Sequence, residues 1–117
     1  IDAVNKVIYK IENDCVTLIK YLGANSTLYI PRTIEGYIVT KIATGFYSSS
    51  GTRYFYIPKE VTSIESKAFT NTSYSTHYFY FETAEQPSNW SAEWYYNSYY
   101  GSYTNYISKS WNQKFSY

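Results

Sequence analysis

The sequence contains one cysteine, Cys15, and one histidine, His77. A single cysteine excludes a disulfide within the chain and the zinc sites that several cysteines build. Cys15 and His77 fall in different predicted elements, so we expect no nucleophile–base pair and interpret them as a small buried thiol and a polar residue at a strand edge. The five glycines form no phosphate-binding loop. We therefore expect a protein without catalytic residues, metal or cofactor.

Clustered charge and long apolar runs are missing as well. Ten basic and nine acidic residues give a net charge of +1, and the basic residues are scattered from Lys6 to Lys114. Because nucleic-acid binding needs a concentrated basic surface, we expect no nucleic-acid partner. The longest apolar stretches, such as Val16 to Ile19, are far too short to span a bilayer, so no membrane insertion is expected.

Three acidic residues offer one catalytic alternative. Glu82 and Glu85, with Glu93 further along, could form the acid pair of a glycoside hydrolase. Glutamates on the surface near the start of a helix are much more common, and we prefer that interpretation. The sequence therefore gives little support to an enzyme.

The length of 117 residues is that of one domain, and it is sufficient to bury a core. The sequence begins at Ile1 with neither an initiator methionine nor a signal-peptide pattern. We interpret it as a mature or excised part of a larger chain. Asn25, Asn71 and Asn89 begin Asn-x-Ser/Thr triplets, which matter only in a source that glycosylates.

What the sequence does contain is an internal repeat. "LYIPRTIEGYIVTKIATGF" (28–46) and "FYIPKEVTSIESKAF" (55–69) share an aromatic or apolar start, Ile-Pro, Val-Thr-x-Ile and a terminal Phe. The first copy carries extra residues around Glu35-Gly36, where a turn fits. A weaker third copy begins at "YFYFETAEQP" (78–87). Ile30, Ile57 and Phe81 align at spacings of 27 and 24 residues, which are typical of leucine-rich-type repeats.

The second copy, "YIPKEVTSIESKAF", closely resembles the BspA-like class of leucine-rich repeats. The first copy departs from that pattern, because "IATGF" is one residue shorter than "IESKAF". "CVTLIKYLGANSTLYIP" resembles the lead-in of such arrays and "QPSNWSAEW" their tryptophan-bearing terminus, so the similarity covers about residues 7–94. The resemblance implies a bacterial surface or secreted protein implicated in adhesion, and hence an extracellular or cell-surface location.

The expected fold is a mainly β repeat solenoid, a short right-handed coil of the leucine-rich-repeat type. In "TRYFYIP", alternate residues face opposite sides of a strand, so the apolar ones point inward and the tyrosines outward. Residues that return each coil toward the core complete the inward set. We expect a core of Leu28, Ile30, Val39, Ile42, Phe46, Phe55, Ile57, Val61, Ile64, Phe69, Phe79 and Phe81.

A solenoid needs caps, because its first and last coils expose apolar faces and strand edges. We assign residues 1–24 to an N-terminal cap, a hairpin of "VIYKI" and "CVTLIKY" around Glu12-Asn13-Asp14. Residues 25–85 form the repeats and 86–117 an aromatic C-terminal cap. In that cap, one helical turn would place Trp90 and Trp94 on the last coil, and the alternation of "WNQKFSY" (111–117) predicts a half-buried strand.

The tyrosines leave two function classes open. In a binding module, exposed rings would contact a protein or glycan by ring stacking and hydroxyl hydrogen bonds. Pairing of the repeats as parallel strands predicts two such rows, namely Tyr29, Tyr56 and Tyr80, and Thr27, Tyr54 and Tyr78. The stretch "YYNSYYGSYTNY" (95–106) is interpreted first as a cover for the last coil. It also contains three secondary binding candidates, Tyr99, Tyr100 and Tyr103. In a structural spacer or capping module, the rows would only stabilise the sheet.

Overall fold

The computed structural model describes residues 1–48 and 51–117, and over these ranges the chain consists of strands and turns without a helix. It forms a β-solenoid of about three turns, as the repeat predicts. The strands are β1 (Val7–Glu12), β2 (Cys15–Tyr21), β3 (Thr27–Tyr29), β4 (Thr33–Ile34), β5 (Tyr37–Ile42), β6 (Tyr47–Ser48), β7 (Tyr54–Ile57), β8 (Ser63–Ile64), β9 (Phe69–Asn71), β10 (His77–Phe81), β11 (Tyr95–Asn97) and β12 (Ile107–Ser110).

The strands form three sheets, and the chain visits them in turn. The first sheet has the order β1-β2-β5-β4, with β8 also paired to β5. The second sheet is parallel throughout, in the order β3-β7-β10-β12, and the third is parallel in the order β6-β9-β11. Each of the first two coils therefore contributes one strand to the second sheet, then at least one to the first, then one to the third.

The core lies between the three sheets. Leu28, Phe55 and Phe79 occupy one register position of the second sheet, and Ile57 and Phe81 pair two residues further on. All twelve residues predicted for the core are buried. The alternation within the repeats therefore identified the inward face of the solenoid correctly.

The first sheet contains two hairpins, β1-β2 and β4-β5, and both have two-residue loops. Asn13 and Asp14 join β1 to β2 with φ values of 52° and 60°, and Glu35 and Gly36 join β4 to β5 with φ values of 55° and 82°. Two consecutive left-handed residues make the type of turn whose twist matches that of paired strands. The predicted N-terminal hairpin and the predicted turn in the first repeat are both confirmed.

The two tryptophans near the C-terminal end close the last coil without a helix. The Trp90 N–H donates to the Pro87 carbonyl at 3.1 Å and the Trp94 N–H to the Ser91 carbonyl at 3.3 Å. These are separate turns of the i+3 type, so the predicted helical turn is wrong. Both indoles are nevertheless buried against the core, as the sequence predicted.

The last seven residues, 111–117, form no strand, so that prediction is also wrong. The edge of β10 is already paired to β12, which ends at Ser110. The segment instead crosses the ends of the second sheet, beginning with hydrogen bonds from Asn112 N–H to the Thr83 carbonyl at 2.7 Å and from Gln113 N–H to the Phe81 carbonyl at 2.8 Å.

The stretch "YYNSYYGSYTNY" begins as part of the solenoid. Its first three residues are β11, in which the buried Tyr95 pairs with Phe69 of the preceding coil. The following residues, 98–106, form turns that lead into β12. Both β11 and β12 lie within the segment that the sequence assigns to the C-terminal cap, and they add strands to the third and second sheets.

Asn71 and Asn97 occupy equivalent positions in the third sheet and are fully buried. The Asn71 amide donates to the Ser75 carbonyl at 2.9 Å and to the Tyr95 hydroxyl at 3.2 Å, and its oxygen accepts from Ser73. Each of the two asparagines thus orders the loop that follows its strand. The side chain of Asn71, the acceptor of one glycosylation triplet, is consequently buried in the folded chain.

Candidate interaction surface

The second sheet presents two rows of tyrosines on its outer face, with the membership that the sequence predicts. The register pairs Tyr29 with Tyr56 and Tyr56 with Tyr80, and it pairs Tyr54 with Tyr78. We call Tyr29, Tyr56 and Tyr80 the central row, and Tyr54 and Tyr78 the outer row. Together the five rings form the tyrosine surface.

The rings within each row stack on one another. The centroids of Tyr29 and Tyr56 are 4.8 Å apart, as are those of Tyr56 and Tyr80, with interplanar angles of 21°. The distance across the outer row is 5.4 Å at 19°. These values match the spacing of about 4.8 Å between neighbouring strands, so the sheet itself sets the stacking.

Stacking determines which part of each ring a ligand can reach. The faces between neighbouring rings are occupied, so that ring edges and hydroxyl groups point to solvent. Tyr29 is 53% exposed and Tyr54 is 38% exposed, while Tyr56, Tyr78 and Tyr80 are half-buried. This limits the ring stacking that the sequence suggested as a binding mode, and it leaves edge contacts and hydrogen bonds.

The C-terminal segment covers part of the central row. Phe115 packs against Tyr56 with centroids 5.3 Å apart at 72°, and Tyr117 packs against Tyr29 at 5.4 Å and 82°. A cleft of about 160 Å³ remains between the segment and these two tyrosines. The outer row is in contact with neither ring in the described part of the chain.

An ionic cluster at the ends of the strands holds this segment in place. Arg32 donates two hydrogen bonds to the Glu82 carboxylate, at 2.6 and 2.7 Å, and one to Glu60 at 2.6 Å. Its Nε donates to the main-chain oxygen of Tyr117 at 2.6 Å, and the guanidinium carbon lies 5.3 Å from the Tyr117 ring centroid. Arg32 follows β3, Glu60 follows β7 and Glu82 follows β10. One arginine therefore links all three coils.

The pKa values of Glu82 and Tyr117 are both shifted at this site. The hydrogen bonds from Arg32 lower the pKa of Glu82 to about 2, and the Lys59 N–H adds a further bond to the carboxylate. Burial raises the pKa of the Tyr117 hydroxyl above its ordinary value. At neutral pH Glu82 is therefore ionised and Tyr117 is a hydrogen-bond donor.

The secondary candidates lie apart from the tyrosine surface. Tyr99 and Tyr100 contact each other at 4.8 Å, and Tyr100 stacks on Tyr106 at 5.3 Å, all in the turns after β11. Tyr103 packs against Tyr96 at 5.2 Å. Tyr99, Tyr100 and Tyr103 are exposed, and within the described ranges none of them is in ring contact with either row.

The residues considered for catalysis are not brought together. Cys15 is half-buried in the first sheet, whereas His77 is buried at the start of β10 between Tyr47 and Phe55. Glu82 is bound to Arg32, which leaves Glu85 and Glu93 as exposed surface residues.

The described residues include no group of three His, Cys, Asp or Glu side chains placed to hold a metal ion. Within the same ranges, no helix is long and apolar enough to cross a membrane.

Sequence reasoning missed the cluster of Arg32, Glu60 and Glu82 and its link to the chain end. The available signal was a charged residue shortly after each of three strands, although the repeat alignment itself places Arg32 opposite Lys59 and not opposite a glutamate. Opposite charges at such positions meet when the coils stack.

No protein-family model, curated protein or solved structure matches the chain. The likeness of its repeats to the BspA-like class stays a prediction.

Proposed function

We propose that this chain is a non-catalytic interaction module of a bacterial surface or secreted protein and that it binds a protein ligand through the tyrosine surface. The setting follows from the resemblance of its repeats to the BspA-like class, whose members are implicated in adhesion. The observation that supports binding most directly is the regular display of five tyrosine edges and hydroxyls on one parallel sheet.

Stacking makes this display rigid. A stacked tyrosine has lost much of its rotamer freedom on folding, so little more is lost when a ligand binds. Tyrosine is also among the residues that dominate binding energy in protein interfaces. The tyrosine surface is therefore organised before a partner arrives.

The exposed part of the rings favours a protein over a glycan as the ligand. Sugars stack on open aromatic faces, whereas every ring in the two rows has at least one face against a neighbouring ring, and Tyr56 has both faces covered. Ring edges carry a partial positive charge and pack well against the faces of other aromatic rings. A protein supplies such rings, together with carbonyl oxygens for the hydroxyl groups.

A structural spacer or terminal cap is the second candidate. It is favoured by the same stacking, because aromatic pairs across neighbouring strands stabilise a sheet without any ligand. The coverage of Tyr29 and Tyr56 by the C-terminal segment also fits this function.

Substitutions in the outer row test the binding proposal, since that row is free of the C-terminal segment. The full chain would be screened on arrays of purified extracellular proteins and of glycans. We expect Tyr54→Ser/Tyr78→Ser to weaken binding to the protein found by at least about tenfold, because tyrosines at the centre of an interface contribute strongly. The matched control Tyr37→Ser/Tyr74→Ser, two exposed tyrosines outside both rows, should bind as the wild type does.

The fold is monitored by circular dichroism melting of every variant. If the serine variant unfolds, Tyr54→Phe/Tyr78→Phe keeps the stacking and removes only the hydroxyls, and its affinity decides the question. Unchanged affinity in a folded serine variant, or no binding to either array by the wild type, would contradict the proposal and favour the spacer.

A further inference from the structure

Residues 115–117 occupy the central row much as a peptide ligand would. Phe115 and Tyr117 are two positions apart, so an extended backbone directs both rings to the same side. Their rings stack on each other at 5.6 Å and 5°, and each makes an edge contact with a different tyrosine of the row. The segment thus uses the binding mode that the stacked rows leave open.

Hydrogen bonds fix the position of the second aromatic residue. The Tyr117 hydroxyl donates to the Ile30 carbonyl at 2.8 Å and lies 3.3 Å from the Tyr56 carbonyl, just where the strands end. Its main-chain oxygen accepts from Arg32 Nε at 2.6 Å. A tyrosine is therefore recognised at both its side chain and its backbone.

Most of the receiving half of this contact is built from other parts of the chain, and the segment adds one main-chain hydrogen bond from Phe115 to the Glu82 carboxylate. Arg32 is held by three hydrogen bonds from its terminal nitrogens to Glu60 and Glu82, which leaves Nε directed at the incoming main-chain oxygen. Bidentate pairs of this kind hold the guanidinium in one geometry. The central row is held by its own stacking. A groove formed by these parts stays organised when the segment leaves.

The residues between and before the two aromatics contribute little. Lys114 and Ser116 are exposed, and within the described part of the chain their side chains make no hydrogen bond. Recognition is therefore concentrated on an aromatic residue followed two positions later by tyrosine.

We propose that the central row and Arg32 form a groove for an extended peptide segment of the form aromatic-x-Tyr, and that residues 115–117 occupy it in competition with such a segment from a partner protein. This inference rests on the proposed function and specifies its partner. Because the occupant is tethered, its effective concentration is high, and an external peptide must compete with it.

The test uses the full chain and a synthetic peptide with the sequence of residues 112–117, NQKFSY, labelled with fluorescein. Binding is measured by fluorescence anisotropy. We expect Phe115→Ser/Tyr117→Ser to bind the peptide at least about tenfold more tightly than the wild type, because the tethered competitor has lost both rings. The peptide NQKSSS should not bind. Adding Tyr29→Ser to the released variant should abolish binding of NQKFSY.

A milder variant guards against a folding defect in the released chain. Tyr117→Ser alone should raise the affinity for NQKFSY by a smaller factor. Melting curves of both variants test whether they are folded. Equal affinity in wild type and variants, or equal binding of NQKFSY and NQKSSS, overturns the proposal. The outer row is tested separately by the array experiment. If NQKFSY does not bind as expected but the outer row still binds a protein ligand, the peptide groove is wrong and the proposed function stands.

Discussion

Phe79→Ala should lower the free energy of unfolding by about 3–5 kcal/mol, the range found when a buried phenylalanine is truncated. Phe79 is fully buried and lies at the centre of the aromatic core. It stacks on Phe55 at 4.5 Å and 10°, and it meets Phe69 at 5.1 Å and Trp94 at 5.0 Å edge to face. Rings from the second sheet, the third sheet and the connection that carries Trp94 surround it, so a local movement does not fill the cavity.

The measurement is urea unfolding followed by tryptophan fluorescence. Phe115→Ala removes the same group of atoms from a half-buried position on the sheet surface and serves as the matched control, with an expected loss of about 1 kcal/mol. Because domains of this size have roughly 5 to 15 kcal/mol of stability, the Phe79 variant should lose a large fraction of it. Similar losses in the two variants would show that the core does not depend on this ring.

His77→Phe should remove an acid-dependent loss of stability of about 3 kcal/mol. Burial, together with the positive charge of Arg53, lowers the pKa of His77 to about 4. The unfolded chain takes up a proton near pH 6.5, whereas the folded chain takes it up only near pH 4. Stability is therefore complete above about pH 6.5 and declines as the pH falls to about 4, below which both states are protonated.

Phenylalanine fits this site on chemical grounds. Nδ1 of His77 is buried without a hydrogen-bond partner among the described residues, so its replacement leaves no group unpaired. The site is aromatic already, with Tyr47 at 5.9 Å and Phe55 at 5.3 Å. Unfolding free energies of wild type and variant would be compared from pH 7.5 to 4. Other titrating groups cancel in the difference, and parallel profiles would contradict the assignment.

The repeat sequence was sufficient to predict the solenoid and the direction of its side chains. A strand in which Phe55 and Ile57 alternate with tyrosines can bury only one of its faces, so the register of the sheet follows from the hydrophobic pattern. The aligned copies then placed Tyr56 between Tyr29 and Tyr80. This reasoning uses only the period of two and the repeat, and both are local properties of the sequence.

The chain end could not be predicted in the same way. Alternation in residues 111–117 indicates an extended backbone, but a strand also needs a free neighbouring edge, and β12 had already taken that of β10. The spacing of Trp90 and Trp94 likewise suits a helix, although two isolated turns bury both indoles equally well. In both cases the pattern identified the buried side chains and the tertiary context chose the backbone.

The contact between Arg32 and Tyr117 depends on still more distant information. Eighty-five positions separate the two residues in sequence, and their meeting requires the correct number of coils and the correct path of the last segment. No local pattern contains that information. The repeat alignment gives the position of Arg32 in its coil, but it does not say which oxygen its Nε will meet.

Arg32 also has a consequence for how the molecule opens. In an array where each coil contacts only its neighbours, the terminal coil can fray while the others stay folded. Here the side chain of Arg32 in the first coil binds Glu60 in the second, Glu82 in the third and the last residue of the chain. Loosening the last coil therefore breaks bonds to the first. These contacts connect the first coil to the last, which favours unfolding of the whole molecule in a single cooperative step.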